Sequence, residues 1–155
     1  MMSGIAMISM GKKLANFYAG LCEPICRRYG INQTCFDVLM FCANNPEYNT
    51  ARDICAVRGI KSGIASVAVE TLIGAGLMGR QNDAADRRIH RLVPTPCAKP
   101  LIDEGRAMQA SFAGVLRRGI SDEELLVLDS IHRKLERNIS DFESNETNKE
   151  SKKEC

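Results

Sequence analysis

Four arginines crowd the stretch from Met78 to Val93: Arg80, Arg87, Arg88 and Arg91, set against Asp83 and Asp86 with His90 between them. Guanidinium groups at this density suit phosphate oxygens, and one of them can enter a narrow minor groove. The flanks Leu77–Gln81 and Ile89–Val93 read as short strands around a polar, turn-rich tip, so the arginines ride on a hairpin. Asp86 is placed to fix an arginine by a bidentate pair and so hold the hairpin's shape. A lone charged loop is more often simply solvated. The pattern immediately upstream reverses those odds.

There, Asn49 or Thr50 caps a short helix from Ala51 to Arg58, with Gly59 as its left-handed terminator. A few residues later Ser62 caps a second helix that runs to about Ala75 and is closed by Gly76. Two short helices joined by a tight glycine-containing turn spell a helix-turn-helix, and a basic hairpin after it is a wing. The second helix is small and polar-poor. Its polar candidates are Lys61, Ser62, Ser66 and Thr71, while Ile64 and Val67 offer apolar contact to thymine methyls beside Gly63. The candidate DNA contacts are therefore Thr50, Lys61, Ser62, Gly63, Ile64, Ser66 and Val67, with Arg80, Arg87 and Arg88 from the wing.

Longer elements must carry this unit. Leu14, Phe17, Tyr18, Leu21, Cys22 and Ile25 form a helical stripe over residues 12–29, with a kink expected at Pro24 and an end at Gly30. Asn32 caps the next helix through Cys35, Phe36, Val38, Leu39 and Cys42. After Pro94, a fifth helix is expected from about Thr95 to Arg118, weakened by Pro100 and Gly105 and broken by Gly119. Ser121 with Glu124 is a capping box, opening a sixth helix with the stripe Leu125, Leu128, Ile131 or His132, Leu135, Ile139. The fold class that follows is mainly α with a small β-hairpin wing: a DNA-binding part over 31–93 between long N- and C-terminal helices, 12–29 and 95–139. Residues 1–11 are expected to be flexible. Residues 140–155 carry a net charge of −2 and one large apolar residue, Phe142, and are expected to be a disordered tail.

Composition narrows the function. With 155 residues, 45% hydrophobic and 26% charged, the chain is one ordinary globular domain. It has no apolar run long enough to span a membrane and no signal-peptide pattern at its start. The odd count of 7 cysteines argues against a disulfide framework and for a reducing, cytoplasmic setting. With 2 histidines far apart, no C-x₂-C pair and no phosphate loop, neither zinc, a cofactor nor a catalytic constellation is expected.

The order of these pieces resembles the MarR family of winged-helix transcription regulators, over roughly Leu14 to Ile139. Ile31-Asn32-Gln33-Thr34-Cys35-Phe36-Asp37-Val38-Leu39 is similar to the segment opening the family's second helix. Thr50-Ala51-Arg52-Asp53-Ile54 and Gly59-Ile60 resemble its third helix and turn. Ser66, Leu72 and Gly76-Leu77 fall where its recognition helix has S, L and G-L, and Asp86-Arg87-Arg88 matches its wing tip. Gly119-Ile120-Ser121-Asp122-Glu123-Glu124 resembles the turn into its last helix. Two positions depart: Val67 stands where many members carry Arg or Lys, and Pro94-Thr95-Pro96-Cys97-Ala98 replaces the usual L-T-x-x-G. The resemblance implies a homodimer, joined through the first, fifth and sixth helices, that binds double-stranded DNA as a repressor. It also implies release by a small aromatic or amphipathic effector held between dimerisation and DNA-binding parts. Cys22 and Cys26, four apart on the first helix, are the candidates for the thiol sensor that some members use; a pair of small core residues is the plainer reading. The other alternative is a winged helix used for protein assembly without DNA.

Overall fold

A computed structural model describes residues 3–151, with side chains up to residue 145. The chain divides into two compact units, residues 1–113 and 114–155.

In the first unit, α1 (Gly4–Tyr29) is capped by the Ser3 side chain and ended by Gly30 at φ 65°. It begins eight residues ahead of the expected Lys12, over a stretch expected to be flexible, because Ser3 satisfies the Ala6 N–H and nothing in residues 4–11 breaks a helix. Only Cys22, Ile25 and Cys26 of α1 are buried. The helix runs through Pro24 as one element.

The centre of the core is α2 (Gln33–Asn44), whose residues Cys35, Phe36 and Val38 to Cys42 are all buried. Asn32 opens it, its Oδ1 accepting from the Cys35 N–H at 2.8 Å. Then come α3 (Ala51–Arg58) and α4 (Ser62–Gly74), separated by Gly59, Ile60 and Lys61, with Gly59 at φ 62°. Thr50, not Asn49, caps α3 in a reciprocal box with Asp53. At α4 the cap position falls on Lys61 with no side-chain hydrogen bond, so Ser62 is the first helical residue rather than the cap. Ala65, Ala68, Val69 and Leu72 turn the small face of α4 onto α2.

The hairpin β1 (Met78–Asn82) and β2 (His90–Pro94) pairs antiparallel, Arg80 opposite Leu92. Met78 and Leu92 are its buried residues and tie it to the core. A 3-10 turn, Pro96–Ala98, leads into α5 (Lys99–Arg117). Pro100 lies in the first turn of α5, where its missing N–H costs nothing. Gly105, read from sequence as a weak point, is a point of close approach: a Cβ there would lie 2.6 Å from Met40 Sδ and 3.1 Å from Phe36 Cε2.

In the second unit, Gly119 at φ 78° turns the chain. The Ser121 N–H donates to Glu124 Oε2 at 2.8 Å and the Glu124 N–H to Ser121 Oγ at 3.2 Å. This box starts α6 (Asp122–Ser151). The helix continues past Ile139 over residues expected to be a disordered tail. Its local sequence, free of Gly and Pro and supported by the Ser144 hydroxyl donating to the Ser140 carbonyl, favours helix without requiring burial. Residues 152–155 lie outside the described residues. Leu126, Val127, Leu128, Ile131, Ile139 and Phe142 are exposed on α6.

Candidate nucleic-acid interface

The three-residue turn between α3 and α4 fixes which face of α4 points outward. Lys61, Ser62, Gly63, Ile64, Ser66 and Val67 are exposed, whereas Ala65 and Ala68 are buried. Val67 is 68% exposed and Ile64 52%, a large apolar share for a surface helix. Lys61 makes no ion pair among the described residues. Thr50 is already committed: its Oγ1 donates to Asp53 Oδ2 at 2.7 Å and accepts from the Asp53 N–H at 3.2 Å.

The wing divides its four arginines into two kinds. Arg91 is an anchor. Its Nε donates to Asp83 Oδ2 at 2.6 Å, and its Nη1 donates to Asn49 Oδ1 at 3.1 Å and to the Glu47 carbonyl at 3.3 Å. Asn49, only 5% exposed, also accepts the Leu92 N–H through its carbonyl at 2.8 Å. The hairpin is thus fastened to the loop that leads into α3. Arg80 pairs with Glu70 of α4, so it joins wing to recognition helix instead of standing free as expected. Arg87 and Arg88 are exposed at the tip and make no ion pair among the described residues.

The tip is shaped by two aspartates. Asp83 Oδ1 accepts the N–H groups of Ala85 at 2.8 Å and Asp86 at 3.1 Å. These backbone donors, with Arg91, hold its carboxyl below the usual carboxylate range. Asp86 does structure the wing, but not through an arginine side chain: its Oδ1 accepts the backbone N–H of Arg88 at 2.9 Å. A tight turn puts that N–H closer than any guanidinium, and the bidentate role falls to no residue here. Sequence spacing does not reveal Asp83, Arg91 and Asn49 as a group, because Asn49 and Arg91 lie 42 residues apart with no local pattern linking them.

A second feature lies behind the helix-turn-helix. A cavity of about 580 Å³ is lined by Leu14, Tyr18, Asp37, Arg58, Gln109 and Phe112, among others. Tyr18 meets Phe112 edge-on with ring centroids 5.3 Å apart, and the Gln109 amide donates to its hydroxyl at 3.2 Å. Asp37 Oδ2 lies 3.2 Å from Arg58 Nη2, the last residue of α3. Burial pushes the Asp37 carboxyl up against the opposing pull of Arg58.

Cys22 and Cys26 lie close by, and both are buried. Burial, reinforced by the Asp37 charge, pushes the Cys22 thiol up to about 11 and raises that of Cys26 as well. Reactive thiols need the opposite environment. Among the described residues no group of three or more His, Cys, Asp and Glu could hold a metal ion. None of the described helices is long and apolar enough to cross a membrane.

A tri-helical core with a two-stranded wing, recognition-type helix outward, defines a winged helix-turn-helix protein. Residues 29–89 match the model of the MarR family. Solved structures of the same fold include the transcription regulator MarR from Oenococcus oeni PSU-1, 20% identical with a TM-score of 0.73, covering 84% of this chain and 98% of that one. The transcriptional regulator PA3341 is 25% identical with a TM-score of 0.70, covering 85% and 98%. CouR from Rhodococcus jostii RHA1, solved bound to p-coumaroyl-CoA, is 22% identical with a TM-score of 0.64, covering 80% and 85%. Over residues 29–89 the chain is similar to the MarR family, and these solved regulators share its winged helix-turn-helix fold.

Proposed function

We propose that the protein is a homodimeric regulator that binds a pseudo-palindromic operator and is released from it by a small effector. The observation that carries this reading is the division of the wing's arginines. Arg80 and Arg91 pair within the protein, tying the hairpin to α4 and to the loop before α3, while Arg87 and Arg88 make no ion pair among the described residues at its tip. A merely solvated loop has no need of such an anchor. In this reading Arg87 meets phosphate and Arg88 enters the minor groove. The exposed face of α4 reads the major groove through Ser66, Ile64 and Val67, with Lys61, Ser62 and Gly63 at its start nearest the backbone. Thr50 contributes by fixing the start of α3.

The dimer is supported by unpartnered apolar surface: Ile5 and Ile8 on α1 are 80% and 76% exposed, and the apolar residues of α6 are exposed as well. A two-fold pair would cover them and set two wings on two half-sites. The effector reading rests on the Tyr18–Asp37–Phe112 cavity, a site of the size that holds small ligands. CouR's bound p-coumaroyl-CoA makes an aromatic ligand the natural first candidate. The raised thiols of Cys22 and Cys26 favour this over a redox sensor.

The test is titration of the full chain against a duplex selected from a randomised pool and against random duplex, at two salt concentrations. Arg87→Ala should weaken binding to both duplexes and lower the salt slope by about one. Arg88→Ala should cost about 1–3 kcal/mol mainly on the selected duplex. Salt-independent binding, or affinity unchanged in both variants, would leave a protein-assembly module as the reading.

A further inference from the structure

A second cleft, of about 420 Å³, opens at the root of the wing, between the exit of β2, the loop before α3 and the start of α5. Its apolar wall includes Cys42, Pro46, Val93 and Ile102. Burial pushes the Cys42 thiol up to about 12, so it is neutral at pH 7. The charged lining is Lys99, Asp103 and Arg106. Lys99 pairs with Asp103 at 2.5 Å. Arg106 has only neutral acceptors: its Nε donates to Asn44 Oδ1 at 3.1 Å and its Nη2 to the Ala43 carbonyl at 2.9 Å. The cleft therefore carries one uncompensated positive charge, on an exposed side chain. Asn49 supplies the second group. It is nearly buried and lines the same cleft. Its Oδ1 accepts from Arg91 Nη1 at 3.1 Å, which fixes the orientation of the amide and leaves Nδ2 as the free end. No hydrogen bond closes on that nitrogen among the described residues, yet it retains accessible surface, in contrast to the sealed Asp37 Oδ1. An amide donor in such a position favours any ligand that brings it an acceptor.

We propose that this cleft takes a short aliphatic oxo acid, its carboxylate at Arg106, its ketone oxygen accepting from Asn49 Nδ2, and its alkyl chain on Val93 and Ile102. The ligand's charge then stays at the exposed cation, where desolvation is small, and the nearly buried donor receives a neutral acceptor. A cationic ligand would meet a net positive wall, and a simple fatty acid would leave Asn49 Nδ2 unpaired. The cleft shares no lining residue with the Tyr18 cavity, so the site stands apart from the effector reading there. Its consequence for DNA rests on the winged-helix reading. Asn49 holds Arg91 through its side chain and the Leu92 N–H through its carbonyl. A ligand joined to Asn49 and to α5 braces the root of the wing, so it tightens DNA binding instead of releasing it.

The test uses the full chain at pH 7 and three probes of one chain length: 5-oxohexanoate, hexanoate and 2-hexanone. In calorimetry the oxo acid should bind at least about threefold tighter than either, since hexanoate lacks the acceptor for Asn49 and 2-hexanone lacks the charge for Arg106. Asn49→Asp keeps an acceptor for Arg91 and replaces the free donor by an oxygen, so it should bind the oxo acid about tenfold more weakly. Should Asn49→Asp fail to fold, Arg106→Gln should bring the oxo acid down to the affinity of 2-hexanone. Equal affinity for the oxo acid and either single-group probe, wild-type affinity in either variant, or no binding by any probe overturns the site. The oxo acid should also tighten binding to the selected duplex; unchanged or weakened duplex binding overturns the bracing role. A chain that binds the oxo acid and no duplex overturns the regulator reading and not the site.

Discussion

Arg91→Ala separates an anchoring arginine from a DNA-contacting one. In the free protein the side chain joins Asp83, Asn49 and the Glu47 carbonyl, bridging the wing to the loop before α3. Truncation removes one ion pair, discounted because the Arg91 side chain is 36% exposed, and strands the Oδ1 of a buried Asn49. The lost hydrogen bonds to Asn49 and the Glu47 carbonyl together cost about 1–2 kcal/mol. For a domain of this length that lowers Tm by roughly 2–8 °C. DNA affinity should fall by a similar free energy, about 5–30-fold, because the complex must re-order the loosened wing. The salt slope should stay the same, since Arg87, the proposed phosphate contact, is untouched. Thermal denaturation and two-salt titration read these quantities independently. Arg91→Lys should rescue little, because a lysine has no fork to span Asp83 and Asn49 together. An unaltered Tm with a slope reduced by one would mean that Arg91 binds phosphate, and the anchoring argument would be wrong.

Gly105→Val drives a branched side chain into Met40 and Phe36 and should cost about 1–3 kcal/mol in chemical denaturation; an unchanged midpoint would show that α5 does not seat that closely. With its thiol near 11, Cys22 is thiolate at pH 7 on the order of one part in ten thousand, so peroxide should not release the selected duplex. Release that Cys22→Ser abolishes would reinstate the redox sensor. Leu128→Glu with Ile131→Lys on α6 should shift sedimentation from dimer to monomer at micromolar concentration, and a wild-type profile would place the dimer contact elsewhere. Because the folded-state value of the Asp37 carboxyl is raised, its contribution is fully present below the ordinary carboxylate range and lost as pH rises through it. Stability of Asp37→Asn should therefore fall less than wild type between pH 3 and 7 in urea titrations.

The elements that sequence made legible are those specified by neighbours in the chain. The Asn32 cap, the Ser121 capping box, and the Gly30, Gly59 and Gly119 terminators all act within a few residues and stand where spacing puts them, whereas spacing leaves Asn49 and Thr50 both open as the cap of α3. The hairpin strands were expected one residue early, because the alternation around Leu77 and Ile89 does not show where pairing starts. What stayed hidden depends on contacts between distant segments. Gly105 reads as a helix breaker until Met40 lies against it, and Arg80 reads as a free cation until Glu70 faces it. Asp37 reads as an unremarkable polar residue on the second helix. Only the fold brings Tyr18, Arg58, Gln109 and Phe112 around it. Helix length escaped for another reason: α1 and α6 extend along residues that bury little, where propensity and capping favour helix but the apolar stripe is weak.

The distribution of charge sets the kind of DNA binding this scaffold supports. Glu70 cancels Arg80 and Asp83 cancels Arg91, so the wing keeps Arg87 and Arg88, and the start of α4 keeps Lys61, as cations without ion pairs among the described residues. With Arg88 in the minor groove, Arg87 and Lys61 of the proposed dimer make about four phosphate contacts, a salt slope near −4. With a chain charge of only +2, random duplex should be held weakly at physiological salt. Discrimination then has to come from base edges, and the outward face of α4 brings more carbon than charge to them. Ile64 and Val67 gain most against thymine methyls, so the half-site selected from a randomised pool should carry thymines at the recognition-helix positions. Val67→Ser should flatten that preference and leave the slope untouched. A slope change in Val67→Ser, or a selected half-site without thymine there, would show that α4 is not read this way.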